Sequence, residues 1–526
     1  MEKLKKMINR KNFGIAVALF VLLQPIIDLD YLLYEKLNQL GLPRLSTIVR
    51  FVVLPLLILW AYMTQTKDKK KTAILAVSYG VVFAAYYVGH CLQAARLIDV
   101  MYFTTNFKFN WYQELVYLLT LVLPFGITYC VVVLKPSERR IKQAVAITSG
   151  LVAIPIFVSN LFVFGLSTYN GKAVANFLAW FTETEYHPRQ LATKFYFAEG
   201  NTIGILMFII LPLMYYFFTK AKNKKEKIAW IVLIVIQSLS MQILGTRVAT
   251  YGAVIVPVYF TVLYGVDVFM KNQKFSRICF ITPLIIAIFF GLMLPYTPAV
   301  VNQNLNATND VALIESNIPD EIANLKNENE ALMPGTVEYN QFYIYMFEEY
   351  GIRAGYVHTV PQEYYIYWYN YKFDPIFWMD VIEMDVYDRV NGRQIQTIFM
   401  NYKLEKLQPT EHILGAGYST FMNGSIILEQ DFVQQWMTLG ILGFSLTMLP
   451  WIVITAGLIL VMVKKWKKHF NLTTFVYGAA LVSGFGVGVV SGHTMDQFVT
   501  SIWLAVLLGI LINRLFLTDS DGESNE

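Results

Sequence analysis

The sequence predicts an all-α polytopic membrane protein of about twelve transmembrane helices, with one large extracytoplasmic loop domain between helices nine and ten. Three observations predict it. Apolar runs of roughly 20 residues recur along nearly the whole chain, long enough to cross a ~30 Å hydrocarbon core as helices. The 526 residues are 56% hydrophobic and only 15% charged, with mean hydropathy +0.46; a soluble chain of this length exposes far more charge. The loops between the runs are basic alternately, as the two sides of a membrane require.

Runs begin near residues 13, 47, 73, 114, 145, 201, 228, 248, 278, 434, 472 and 496. The basic loops KDKKK (67–71), KPSERRIK (135–142), KAKNKKEK (220–227), KNQKFSR (271–277) and KKWKKH (464–469) then share one side with both termini. The positive-inside rule makes that side cytoplasmic. Dropping one helix would spoil the alternation downstream. The opening MEKLKKMINRKNF imitates a signal peptide, but no small-x-small cleavage site follows its apolar run, so the first helix is expected to be retained. The net charge of +5 follows from this topology and implies no nucleic-acid partner. Cys91, Cys130 and Cys279 lie in or beside the runs, which gives no disulfide framework and no thiolate metal spacing.

The expected organisation is a transmembrane bundle over 1–298 (helices one to nine), a loop domain with amphipathic helices over 299–432, helices ten to twelve over 433–517, and a disordered acidic cytoplasmic tail over 518–526. Within the loop, GRQIQTIFMNYKLEK places Ile395, Ile398, Phe399 and Tyr402 on one helical face. The aromatic stretch at 361–378 reads either as an interfacial belt or as a stacking surface for sugar rings. Long loops on a rigid scaffold commonly carry function.

Polar residues gather at the outer helix ends. Asp28 and Arg50 are expected to form a structural ion pair, because a lone charge at membrane depth costs ~2.5–3.5 kcal/mol. Arg247 stands in the tight turn of ILGTRVATYG, Arg389 and Arg393 are four apart, and His493 lies with Asp496 between helices eleven and twelve. Guanidinium groups match phosphate oxygens bidentately, so these arginines point to a phosphate-bearing ligand. In LEQDFVQQWMTLGILGF, a helix running from Glu429 would align Gly440 and Gly443 beneath that carboxylate, leaving a groove for a neighbouring helix or a lipid tail.

The order of these segments resembles the bacterial O-antigen ligase and polymerase family of membrane glycosyltransferases. FYFAEGNTIGILMFIILPL is similar to the family's aromatic-x-x-x-Asn segment, and LGTRVATYG to its Ser/Thr-Arg turn. GRQIQTIFMNYKLEKLQPTEHILGAGYSTF resembles the arginine helix and the Leu-Gly-x-Gly-x-x-x-Phe turn. EQDFVQQWMTLGILG matches a closing His-[Asn/Ser/Gln]-x9-Gly-x-x-Gly pattern in spacing through Gln430, Gly440 and Gly443, with Glu429 where the family frequently has His. Tyr251 replaces the Leu of Arg-x3-Leu. The matches cover about the C-terminal two thirds of the chain.

The resemblance implies a polyprenyl-diphosphate-linked saccharide donor and a glycan acceptor, at the outer face of the bacterial cytoplasmic membrane, without cofactor or metal. Arg247, Arg393 and Arg389 are then expected to hold the diphosphate. Glu429 is the first candidate for the base, with His493 and His412 behind it. Glu in place of His tips the reading toward a polymerase of repeat units and away from a ligase. A flippase or transporter is the non-enzyme alternative, which the long outer loop and the absence of repeated halves oppose. Other polysaccharide-assembly membrane proteins are candidate partners.

Overall fold

The computed structural model describes residues 9–40, 44–101, 109–169, 171–182, 185–305, 317–357, 360, 362, 364–384, 392–419 and 428–517. They form helices, turns and loops, and the sole β-type pairing described is an isolated bridge between Leu166 and Lys172. Eleven helices are long and apolar enough to cross a membrane, or twelve if a bent pair is one span. That pair, Arg10–Leu22 and Gln24–Leu37, turns by 52° around Pro25 at the start of its second half and is counted here as the first span. The others are Leu45–Thr64, Lys69–Ile98, Trp111–Leu134, Glu138–Leu161, Gly200–Lys220, Lys224–Ile243, Arg247–Phe269, Arg277–Leu305, Asp431–Lys464, Leu472–Val490 and Phe498–Phe516, numbered second to twelfth.

The described chain divides into two compact units. One comprises residues 1–77, 119–302 and 449–526, and the other 78–118 and 303–448. In the first unit, the sixth span is the central post: it is apolar all round and 89% buried, and it packs on the seventh, eighth, eleventh and twelfth spans. Gly204 and Gly484 allow this packing, since a Cβ on Gly204 would lie 2.8 Å from Thr246 Oγ1. The first and second spans are tied by charge. Arg50 donates two hydrogen bonds of 2.8 Å to the Asp28 carboxylate and one to Gln24 Oε1, with its guanidinium over the Phe498 ring. Asp30 accepts from Arg44 and from the Ser46 N–H at 2.7 Å. With every polar atom directed at a partner, burial of these charges is compensated.

In the second unit, the aromatic stretch turns inward. Tyr364, Tyr365, Tyr369, Tyr371, Phe377 and Trp378 are buried in one cluster with Met346, Phe347 and Phe399, and Ile398 and Tyr402 pack against it. These rings are therefore neither an interfacial belt nor a sugar platform. Trp378 Nε1–H donates to the Tyr369 carbonyl, and the Tyr369 and Tyr402 hydroxyls both donate to Asp374. Trp378, Tyr369 and Tyr402 thus have partners for their polar ring atoms, which lets such amphipathic side chains build a core. Among the described aromatic side chains of the stretch, Tyr367 and Phe373 stand well exposed.

Candidate functional site

The seventh span ends at Ile243 and the eighth starts at Arg247, so three residues turn the chain. Gly245 has φ +72°, and a Cβ there would lie 2.7 Å from the Ala192 Cβ. A helix end leaves its last carbonyls without intrahelical partners. Here the loop between the fifth and sixth spans supplies them. Ile243 O accepts from the Thr193 N–H at 3.0 Å, Leu244 O from the Thr168 hydroxyl at 2.6 Å, and Gly245 O from the Tyr169 hydroxyl at 2.7 Å. The turn is thus fastened at three consecutive positions, and Arg247 projects from a rigid base. Its side chain is exposed and has no hydrogen bond or ion pair among the described residues.

The same loop brings a second arginine. Arg189 lies over the Tyr169 ring at 5.4 Å and donates from Nε to Asn302 Oδ1 at 3.0 Å. Burial raises the Tyr169 phenol above its ordinary value, and the Arg189 and Arg247 guanidinium groups pull against that rise. Sequence reasoning passed over Arg189, Tyr169 and Asn302. The usable signal was the length of the loop 162–199 between two spans.

Glu199 caps the sixth span beside this turn, and a Cβ on the adjacent Gly200 would overlap Thr168. Its Oε2 accepts from Thr202 Oγ1 at 3.1 Å. Lys194 donates to the Ala198 carbonyl, and burial lowers its amine while Glu199 opposes that shift. Asp496 is pushed up to about 7, first by burial and then by Glu199. Its Oδ1 is buried without a hydrogen-bond partner among the described residues, as is Nδ1 of His493, whose backbone has φ +59°. One unit therefore assembles Arg247, Arg189, Lys194, Glu199 and Asp496 at the ends of the sixth, eighth and twelfth spans.

The second unit holds the other candidates. Glu429 lies before the tenth span, which begins at Asp431, and its N–H donates to Gln396 Oε1 at 3.1 Å. Gln396 in turn donates to the Tyr364 hydroxyl at 2.7 Å. Arg393 lies in the helix Gly392–Leu404, but its side chain and the whole of Arg389 fall outside the described residues. His412 lines a cavity of about 160 Å³ with Leu404, Leu407, Gly415, Trp436, Met437 and Ile441.

The groove expected below Glu429 does not form. The tenth span breaks at Gly440 (φ 66°, ψ −174°), so the glycines are not stacked along one straight face. The turn 412–417 fills the break: a Cβ on Gly440 would overlap the Gly415 nitrogen, and one on Gly443 would overlap the Tyr86 hydroxyl. Breaking a helix in a membrane frees carbonyls that protein must satisfy. Thr438 O accepts from the Gly417 N–H at 2.8 Å, and Leu439 O from the Tyr86 hydroxyl at 2.7 Å.

Beneath this junction, His90 and Glu114 are both fully buried. His90 Nδ1 lies 2.6 Å from Leu414 O, and Nε2 lies 3.1 Å from Glu114 Oε2. A carbonyl only accepts, so Nδ1 is the donor to Leu414 O, and Nε2 faces the carboxylate. Glu114 Oε1 accepts from the Ser419 N–H at 2.6 Å, and Gln93 donates to the carbonyls of Glu411 and Gly415. Ionisable residues inside apolar runs were the available signal for this pair.

Eleven or twelve candidate spans among the described residues, with an exposed arginine on a fastened turn, define a multi-pass membrane protein. The chain belongs to the O-antigen ligase-like membrane protein family, whose profile matches residues 11–517. No curated protein matches it. Membership makes it a membrane enzyme of glycan assembly, with glycosyltransferase-type activity and a lipid-linked glycan as substrate.

Proposed function

We propose that the protein polymerises polyprenyl-diphosphate-linked oligosaccharide repeat units at the outer face of the bacterial cytoplasmic membrane, with both its termini in the cytoplasm. The observation that carries this reading is Arg247: an exposed guanidinium without an acidic partner among the described residues, held on a turn fastened by three hydrogen bonds, in a chain of this family. The acceptor hydroxyl attacks the anomeric carbon, the bond to the diphosphate oxygen breaks, and that oxygen leaves with the electron pair. The arginine charge stabilises it as negative charge develops. Arg393 and Arg389 are assigned to the same diphosphate. Glu429 takes the acceptor proton, with His493 and His412 as the next candidates. The reaction needs no metal in this scheme, because the arginines supply the positive charge.

Membership of the family is equally compatible with a second reading, ligase-type transfer of the completed glycan to a surface acceptor. Both readings share donor chemistry and differ in acceptor. A deletion strain complemented with wild type or Glu429→Gln separates them when lipid-linked and surface glycans are sized by gel and mass spectrometry. Single lipid-linked units accumulating outside, with long chains lost, mean a polymerase. Long lipid-linked chains without final attachment mean a ligase. Units trapped on the cytoplasmic face mean a flippase and overturn both. Full rescue by Glu429→Gln removes that carboxylate from the reaction.

A further inference from the structure

Arg189 and Arg247 come from different loops and are distant in sequence, yet both act on one phenol, Tyr169. Two like charges sharing a neighbour repel, and proteins ordinarily place a carboxylate between them. None is present among the described residues: Arg247 has no ion pair, and Arg189 bonds only through Nε, to the neutral amide of Asn302. The terminal nitrogens of Arg189 have no partner among the described residues, so the part of the fork that binds an anion is left available.

The surroundings hold Arg189 in this position. Its own carbonyl accepts from Ser167 Oγ at 2.6 Å, its planar group rests on the Tyr169 face, and Asn302 is buried. Tyr169 is at once the platform for Arg189 and the anchor of Gly245, two residues before Arg247. One ring therefore sets the register between the two cations.

We propose that Arg189 and Arg247 form a two-arginine clamp for the diphosphate of the lipid-linked donor, with Tyr169 and Asn302 as the residues that position Arg189. This rests on the reading of Arg247 given above and adds Arg189 to the arginines assigned there. Two guanidinium groups suit two adjacent phosphoryl groups, so the clamp prefers a diphosphate to a monophosphate. The same chemistry would also accept the phosphate of an anionic lipid headgroup, and the test separates the two.

Full-length protein is placed in phosphatidylcholine nanodiscs and titrated with undecaprenyl diphosphate or undecaprenyl monophosphate, using wild type, Arg189→Gln, Arg189→Lys, Asn302→Ala and Arg247→Gln. Arg189→Gln is expected to weaken diphosphate binding by about ten- to a hundredfold and to affect the monophosphate far less. Arg189→Lys should recover only part of the loss, because an ammonium lacks the fork. Asn302→Ala should show a smaller loss of the same kind. Wild-type melting of Arg189→Gln, whose native side chain is exposed, shows that the fold survives.

Unchanged diphosphate binding in Arg189→Gln, with loss in Arg247→Gln, overturns the clamp and keeps the reading of Arg247. Unchanged binding in both variants overturns that reading itself. Adding phosphatidylglycerol to the discs gives the last arm. If it competes with the diphosphate through Arg189 as well as wild type binds the diphosphate, the pair is a headgroup anchor and the clamp is wrong.

Discussion

The turn at Gly245 and the turn at Gly415 both carry the family resemblance, and both close with a glycine at positive φ. Their polar groups are arranged on opposite principles. At Gly245, hydrogen bonds go entirely to the backbone carbonyls, and the Arg247 side chain is left exposed with its charge unpaired. At Gly415, buried and half-buried side chains converge on the turn: Gln93 reaches its carbonyls, His90 reaches Leu414 O, and Glu114 holds Ser419. The first turn presents a charge at its surface, whereas the second uses its ionisable groups to keep a broken helix satisfied in the membrane. A polar residue in a family pattern is therefore a candidate for chemistry only when its hydrogen-bonding capacity has not already been taken up by the fold.

The comparison can be broken at several points. The largest effect is expected from Gly415→Val. Its Cβ would overlap the Gly440 backbone, and φ is +84°, so the yield of monodisperse protein in detergent should collapse; a normal yield would mean that the wedge is not needed. Arg247→Lys should insert and melt like wild type while losing turnover on the order of 10²–10³-fold, measured with a lipid-linked donor. Full activity would take Arg247 out of the site.

His90→Ala should destabilise by about 3–5 kcal/mol, because the buried Glu114 Oε2 and the Leu414 carbonyl would each lose their imidazole partner. Chemical unfolding in mixed micelles measures this. A cost below about 1 kcal/mol would place the pair with weak surface interactions. Asp496 gives a smaller, pH-dependent effect. Its folded value of about 7 lies above the ordinary 3.8, so the native state holds an extra proton between these limits. This group therefore contributes most at low pH, and its contribution falls as pH rises toward 7. Asp496→Asn should flatten that fall and raise the melting temperature at neutral pH by a few degrees; an unchanged melting profile would show that the carboxyl is solvated. Arg96→Ala should change stability by less than about 1 kcal/mol. Arg96 bonds Glu411 at 2.8 Å but is 70% exposed, and a larger loss would show that surface charge also supports the turn.

Much of the helix order was legible because hydrophobicity is a local property. A run such as GILMFIILPLMYYFF must be a buried or spanning helix wherever it packs, and the spans match the runs read from sequence. The Asp28 and Arg50 geometry was legible for a similar reason, since each charge in an apolar setting needs compensation. The groove under Glu429 was misread because helical spacing assumes continuous φ/ψ, and Gly440 departs from it. Nothing in TLGILG distinguishes a glycine that packs from a glycine that breaks, because the partner that stabilises the break lies at 412–417. The aromatic stretch failed similarly. Tyrosines at 364–371 suit an interface or a core, and the choice depended on Asp374 and on a helix near 399.

The sequence by itself determined that this chain is a multi-pass helical membrane protein, where its spans fall, and that it resembles one glycosyltransferase family. Those conclusions rest on periodicity, composition and short spacings, which do not depend on distant residues. Only the tertiary structure decided which polar groups remain available. It joined Arg189 to Tyr169 and Gly245, set Glu199 against Asp496, and filled the Gly440 break with Gly415. Each pairing joins segments far apart in the chain, so its energy depends on a three-dimensional distance that no local pattern encodes.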